Sequence, residues 1–400
     1  MLGELVWYRN FTLSKIISAH TTTFIKICFL FSIFLFISAT VYANVKMVFF
    51  ATATNTFIEP LLFSVSLLTN HSSNTNCSSK DSPILSVNPW FITGFCDAES
   101  SFNIMLSKSS STLTGWRVQV RFIIELNAKD ELLLRSIQSY FNNIGSITLN
   151  SRNNSSIVRW SVVGIKDISN YIIPHFNNYP LQSVKKMDYD LWRKCVEIML
   201  DKKHLNSEGL QEVVYIKSLV NKGLSDNLDL IFNSNPDYTE LELKKILENN
   251  NNFKDKHIKP TYVPNIEPLD PNWVNGFIAG DGSFYISTVK KNEYCLFTPF
   301  LAITLLVRDK LLIEKIKEFF SGVGSVYIEK NNLTVQWKVF KLDQILTIVS
   351  HFEKYPLLGF KLYNYNIWLE IVNIINKKNH LSAEGQTKIL ELLKNLNKWN

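Results

Sequence analysis

Between Trp116 and Ile124 every even position is apolar: Trp116, Val118, Val120, Phe122 and Ile124. The odd positions begin Arg117, Gln119 and Arg121. A period of two predicts a half-buried strand over Trp116 to Leu126, with a basic, hydrogen-bonding outer face. Val158, Trp160 and Val162 alternate in the same way with Arg159 and Ser161. Val335, Trp337 and Val339 alternate with Thr334, Gln336 and Lys338. Phe297 to Leu305 is a further strand whose outer positions, Thr298, Phe300, Ala302 and Thr304, are less polar. Helical patterns follow at Leu132 to Phe141 and Leu311 to Phe320. The order is helix, two strands, helix, two strands, then helices, and it occurs twice.

The first helix of each set carries a repeated phrase. Pro89 to Phe102 reads PWFITGFCDAESSF, and Pro271 to Phe284 reads PNWVNGFIAGDGSF. Further landmarks recur in step: Lys129-Asp130 with Arg308-Asp309, Gly145-Ser146-Ile147 with Gly324-Ser325-Val326, and Trp160 with Trp337. HFNNYPL at His175 is matched by HFEKYPL at His351, then Lys185, Tyr189 and Trp192 by Lys361, Tyr365 and Trp368. His204 to Gly209 is matched by His380 to Gly385. A period this long is a domain duplication rather than a solenoid repeat. Within each phrase, Gly94 and Ala98 are four apart, as are Gly276 and Gly280, so each pair shares a helix face. Small residues on one face let two backbones approach closely, and the natural partner is the equivalent helix of the other copy.

The remaining segments differ in character. Ile27 to Val45 is uncharged and lies between Lys26 and Lys46, close to the roughly 20 residues of a membrane helix. Ser, Thr and Asn crowd Thr69 to Ser82. Three readings of this leader compete: an incidental in-frame leader, a membrane anchor, and a secretory signal ending near Val41-Tyr42-Ala43. The domain boundaries that follow are 1–84 for leader and linker, 85–230 for the first repeat, 231–270 for a second linker and 271–400 for the second repeat. Hydrophobic residues make up 46% of the 400, enough for a sizeable core and against bulk disorder. Net charge is +7; five basic and three acidic residues precede Ile84, leaving 37 against 32. That modest excess is consistent with a nucleic-acid partner. The five cysteines, Cys28, Cys77, Cys96, Cys195 and Cys295, form no CxxC pair, which argues against a zinc site.

The chemistry lies in the acids. Glu99 and Asp281 fall at the C-terminal ends of their helices, where the partial negative charge of the helix disfavours an anion. A shared divalent cation would compensate both, with main-chain carbonyls as further hard oxygen ligands. Bound metal can activate water against a phosphodiester and stabilise the leaving oxygen, so no nucleophilic side chain is needed.

The two phrases resemble the signature of the LAGLIDADG homing endonucleases in their double-motif, single-chain form. Ile92 to Ser100 (ITGFCDAES) and Val274 to Gly282 (VNGFIAGDG) occupy the nine signature positions. The resemblance runs from about Asn88 to the C-terminus and is nearest to the fungal mitochondrial, intron-encoded branch. It implies an α+β fold of two tandem αββαββα units about a pseudo-two-fold axis, each with a four-stranded antiparallel DNA-binding sheet. It implies a monomeric, mitochondrial enzyme that uses Mg²⁺ to make a staggered double-strand break in a long DNA site, promoting intron homing. Glu99 and Asp281 would be the catalytic, metal-binding acids, and Gly94, Ala98, Gly276 and Gly280 the helix-packing residues. Asn127, at the strand end where the second copy has Leu306, would be a polar neighbour of the metals, and Lys185 and Lys361 basic ones. Arg117, Gln119, Arg121, Arg159, Gln336 and Lys338 are the candidates for DNA contact. Asp97, matched by Ala279, is expected to bond nearby backbone rather than metal. Ser100, where the family has Gly, would make a left-handed helix end harder to form. His175, His351, His204 and His380 suit capping or packing. The alternative is an RNA maturase that assists splicing of its own intron on the same scaffold.

Overall fold

A computed structural model of the chain describes residues 85–152, 155–233, 268–291, 294–330 and 333–397. All of them belong to one compact unit, Ser82–Asn400. The leader assigned to 1–84 and most of the second linker lie outside the described residues.

Each half begins with a signature helix, Pro89–Glu99 or Pro271–Asp281. The starts are written in the sequence. The Asn88 side chain accepts from Trp90 N, and that of Asp270 from Asn272 N and Trp273 N. Pro follows each cap, where its missing N–H costs nothing. Residues Phe91 to Asp97 and Trp273 to Ala279 are all buried. These helices are buried nearly all round and mostly apolar, with Thr93, Asp97 and Asn275 the buried polar exceptions. One side covers its own sheet and the other meets the opposite signature helix. A Cβ on Gly94 would lie 1.9 Å from Trp273 O, and one on Gly276 2.0 Å from Phe91 O. Only glycine allows that approach.

The chain then passes directly into strands β1 (Ser100–Lys108) and β2 (Trp116–Asn127). The helix Glu131–Tyr140 precedes β3 (Ser146–Arg152) and β4 (Ser155–Val162). The second half repeats this with β5 (Gly282–Lys291), β6 (Tyr294–Leu306), the helix Lys310–Phe319, β7 (Ser325–Ile328) and β8 (Thr334–Val339). Both sheets are antiparallel, in the order β1-β2-β4-β3 and β5-β6-β8-β7. The alternation read in β2 is the alternation observed: Val118, Val120, Phe122 and Ile124 are buried. β6 starts three residues earlier than its apolar pattern, because its hairpin with β5 closes at Lys291 opposite Tyr294.

Behind the sheets lie Lys185–Leu200 and Ser207–Leu219 in the first half, and Leu342–Lys354, Phe360–Asn376 and Ala383–Leu393 in the second. Trp160, Trp192, Trp337 and Trp368 are fully buried, each worth roughly 2–3 kcal/mol of transfer free energy. Trp192 packs on Phe102 and Trp368 on Phe284, which explains the Phe that closes each signature phrase. One hydrophobic core runs through both halves.

Two local expectations are settled here. Neither signature helix ends in a left-handed residue: Ser100 has φ −84° and ψ 163°, Gly282 φ −73° and ψ 143°. The correction is simple, because a helix that runs straight into a strand needs an extended residue at the junction. Ser100 fits it and donates its hydroxyl to Cys96 O at 2.7 Å. The histidines of the HFxxYPL landmarks pack rather than react. His175 Nε2 lies 3.1 Å from Thr93 Oγ1, and His351 Nε2 lies 2.6 Å from Asn275 Oδ1. Each fastens a signature helix to the helical layer.

Candidate active site

Glu99 and Asp281 are the last residues of the two signature helices. Close packing brings those ends together: a Cβ on Gly280 would lie 2.3 Å from the Ala98 Cβ and 3.1 Å from the Glu99 Cγ. Burial pushes the Glu99 carboxyl above its usual range, against the pull of Lys185 and Lys361. Burial, and next the Glu99 charge, push Asp281 up to about 6. Two carboxylates in one partly desolvated place resist ionising together.

The lysines sit on the helix ends themselves. Lys185 Nζ donates to Cys96 O, Ala98 O and Ser100 O at 3.0, 3.0 and 2.7 Å. Lys361 Nζ donates to Gly280 O at 3.2 Å and to Gly282 O. Burial lowers both ammonium pKa values, while the surrounding acids hold them up. The sequence suggested that a cation must offset the acids at the helix C-termini. The protein's own ammonium groups already supply part of that offset, on the orphan carbonyls of the last turn.

Asp97 is buried and its carboxylate is occupied by hydrogen bonds. It accepts from Gln182 N, Ser183 N, Ser183 Oγ and Trp273 Nε1 at 2.8, 3.1, 2.6 and 2.9 Å. It bonds backbone, as anticipated, and also ties the first half to the second.

Two clefts flank the helix pair. One of about 370 Å³ is lined by Glu99, Asn127, Asp130 and Lys361. The other, about 930 Å³, is lined by Lys185, Asp281, Leu306, Arg308 and Asp309. Asn127 therefore shares a cleft with one acid, although its side chain also accepts from Lys129 N at 3.0 Å. Leu306 takes the matching place beside the other acid and is 48% exposed. Asp130 and Asp309 were legible only as repeat landmarks; their position beside the acids was not.

Among the described residues, no group of three or more His, Cys, Asp and Glu side chains is placed to hold a metal ion. The side chains offer a pair of carboxylates. Burial is the first cause of their raised pKa values, because it removes the water that would stabilise the charged forms. Two hard oxygen donors fit a divalent cation that keeps several waters, such as Mg²⁺.

The outer sheet faces are less uniform than the alternation suggested. Arg117 is exposed. The Arg121 guanidinium donates to Gln119 Oε1 at 2.6 and 3.0 Å. Arg159 is ion-paired with Glu125, its cross-strand neighbour. On the second sheet Gln336 donates to Thr304 Oγ1 at 2.9 Å. Lys338 Nζ lies 4.2 Å from the centre of the Phe300 ring, which stacks on Tyr285. On the second face Lys338 lies over an aromatic pair.

Comparisons with known proteins agree with this fold. The LAGLIDADG endonuclease family model matches residues 92–196 and 274–372. A Neurospora crassa protein described as probable intron-encoded endonuclease 3 is 37% identical over 313 residues, covering 77% of this chain and 54% of the relative. The chain thus spans about half the length of that relative. The crystal structure of the I-SmaMI LAGLIDADG homing endonuclease bound to cleaved DNA superposes with a TM-score of 0.69 at 30% identity, covering 78% of this chain and 98% of that one. I-SmaMI bound to an uncleaved DNA target with calcium gives 0.68 at 31% identity, covering 78% and 99%.

Proposed function

Because the chain belongs to the LAGLIDADG endonuclease family, we propose that it is a monomeric homing endonuclease. It cuts both strands of one long, nearly two-fold DNA site, with a stagger, in support of intron homing in mitochondria. The observation that carries this reading is the close packing of the two signature-helix ends, Gly280 against Ala98 and Glu99, from which Glu99 and Asp281 project. A monomer suffices because the two halves that supply the acids share one core.

Glu99 and Asp281 would hold the divalent cation, here Mg²⁺. When bound, the metal supplies Lewis-acid activation of water and stabilisation of the leaving oxygen. The chain's own residues do the rest. Lys185 and Lys361 keep positive charge beside the scissile phosphates while anchored on the helix carbonyls. Arg117, Gln119, Arg121, Gln336 and Lys338 present donors to DNA along the two sheets. Arg159 acts there as a pair with Glu125. Phosphate contacts of this kind set affinity and register, and base-edge contacts set the sequence read. No observation favours the maturase reading over this one.

The test is direct. Glu99→Gln and Asp281→Asn each reduce double-strand cleavage of duplex DNA in Mg²⁺ below about a hundredth of wild type, with DNA affinity nearly unchanged. Wild-type cutting by either variant would remove that carboxylate from the metal site.

A further inference from the structure

We propose that Asp130 and Asp309 are positioning residues, each of which sets the lysine of the opposite half in the cutting site. The inference rests on the endonuclease reading above. The two aspartates belong to the repeated Lys129-Asp130 and Arg308-Asp309 landmarks, in the short 3-10 turns after β2 and β6. Each reaches across to the other half. Asp130 Oδ1 accepts from Phe360 N at 2.6 Å, and Asp309 Oδ1 accepts from Val184 N at 2.8 Å. Phe360 and Val184 are matched positions, each directly before the repeat-matched lysine. These N–H groups lie at the starts of the helices Phe360–Asn376 and Lys185–Leu200, neither of which has a side-chain cap from its own N-cap residue. The first N–H groups of a helix lack an internal partner and favour an anion. A carboxylate from the opposite half supplies it in both cases.

The geometry leaves little slack. Gly359 has φ +67°, and a Cβ there would lie 2.4 Å from Asp130 Oδ1. Glycine is required both by that backbone angle and by the approach of the carboxylate. Each lysine is thus held at two points. Its ammonium group bonds the signature-helix carbonyls of its own half, and its backbone is anchored one residue away by the other half. Each cleft consequently mixes halves. Glu99 and Asp130 share a cleft with Lys361, while Asp281 and Asp309 share one with Lys185. Loss of one aspartate loosens one lysine and leaves the other in place.

The experiment uses the full-length protein and a duplex recovered by wild-type cleavage of a randomised DNA library, with the two strands carrying different end labels. Asp130→Ala slows the cutting of one strand by about ten- to a hundredfold relative to the other, and it is the same strand that Lys361→Ala slows. Asp309→Ala and Lys185→Ala share the opposite bias. Asp130→Asn and Asp309→Asn stay near wild type, because the amide oxygen still accepts the N–H. Equal slowing of both strands, or Asn variants as impaired as Ala, overturns the positioning role. If the Ala variants fail to fold, Asp130→Glu and Asp309→Glu replace them: charge is kept, the acceptor is misplaced, and the same biases must appear. A wild-type protein that cuts no library member sinks the endonuclease reading instead. Amide exchange then decides the caps: the Phe360 and Val184 amides exchange at least about tenfold faster in the Glu variants, and unchanged exchange overturns the proposal.

Discussion

His175 and His351 pack, as their place in the repeat suggested, and their burial gives the fold a pH dependence. Both recur in the repeat and bond a signature helix; His175 is buried and His351 half-buried, and neither lines the acids' clefts. Burial lowers the His175 pKa to about 3, and burial with the Lys354 charge lowers His351 to about 4. Each therefore binds fewer protons folded than unfolded. Stability is complete above the ordinary value of about 6.5 and is lost as pH falls through the window down to those depressed values. The slope approaches about 1.4 kcal/mol per pH unit for each histidine. Urea titrations between pH 7.5 and 5 should show this loss, and His351→Gln should flatten it by one proton. An unchanged slope would put the titrating groups elsewhere. Ser100 carries a related lesson. Its departure from the family's Gly looked costly, yet its extended backbone and its bond to Cys96 O absorb the change.

The signature helices are the elements on which the site depends. Their small-residue spacing was readable from the chain, and so was their close approach. The contacts themselves are reciprocal: Gly94 meets Trp273 O, and Gly276 meets Phe91 O, three residues before the opposite glycine in each case. Gly94→Ala and Gly276→Ala would each place a methyl group inside a backbone carbonyl's contact radius. Each should destabilise the protein by about 3 kcal/mol and separate the acids. Thermal denaturation together with the Mg²⁺-dependent cleavage rate checks this: a variant that melts and cuts like wild type would show that the helices can part freely. In the sheets, alternation disclosed which side chains face outward. It did not disclose that Glu125 stands opposite Arg159, since register is set by the paired strand rather than by the strand itself.

At the scale of the molecule, two repeats form one body. Asp97 bonds Trp273, Asp130 bonds Phe360, and Asp309 bonds Val184, so polar groups as well as the apolar core join the halves. The compact unit begins at Ser82. The fragment Leu85–Asn400 should therefore fold cooperatively and cleave like the full chain. Calorimetry and a cleavage assay on the purified fragment check this, and aggregation of the fragment would assign a folding role to the preceding residues.

The sequence alone determined the duplication, the helix and strand order, the inward faces and one acid per copy at Glu99 and Asp281. These follow from periodicity, capping residues and spacing, which are local properties of a chain. The tertiary structure alone decided which groups far apart in the chain meet. Lysine ammonium groups sit on helix carbonyls, aspartates cap the opposite half's helices, and Arg159 pairs with Glu125. Those contacts join residues from 34 to 230 positions apart, and separations of that size are closed only by folding.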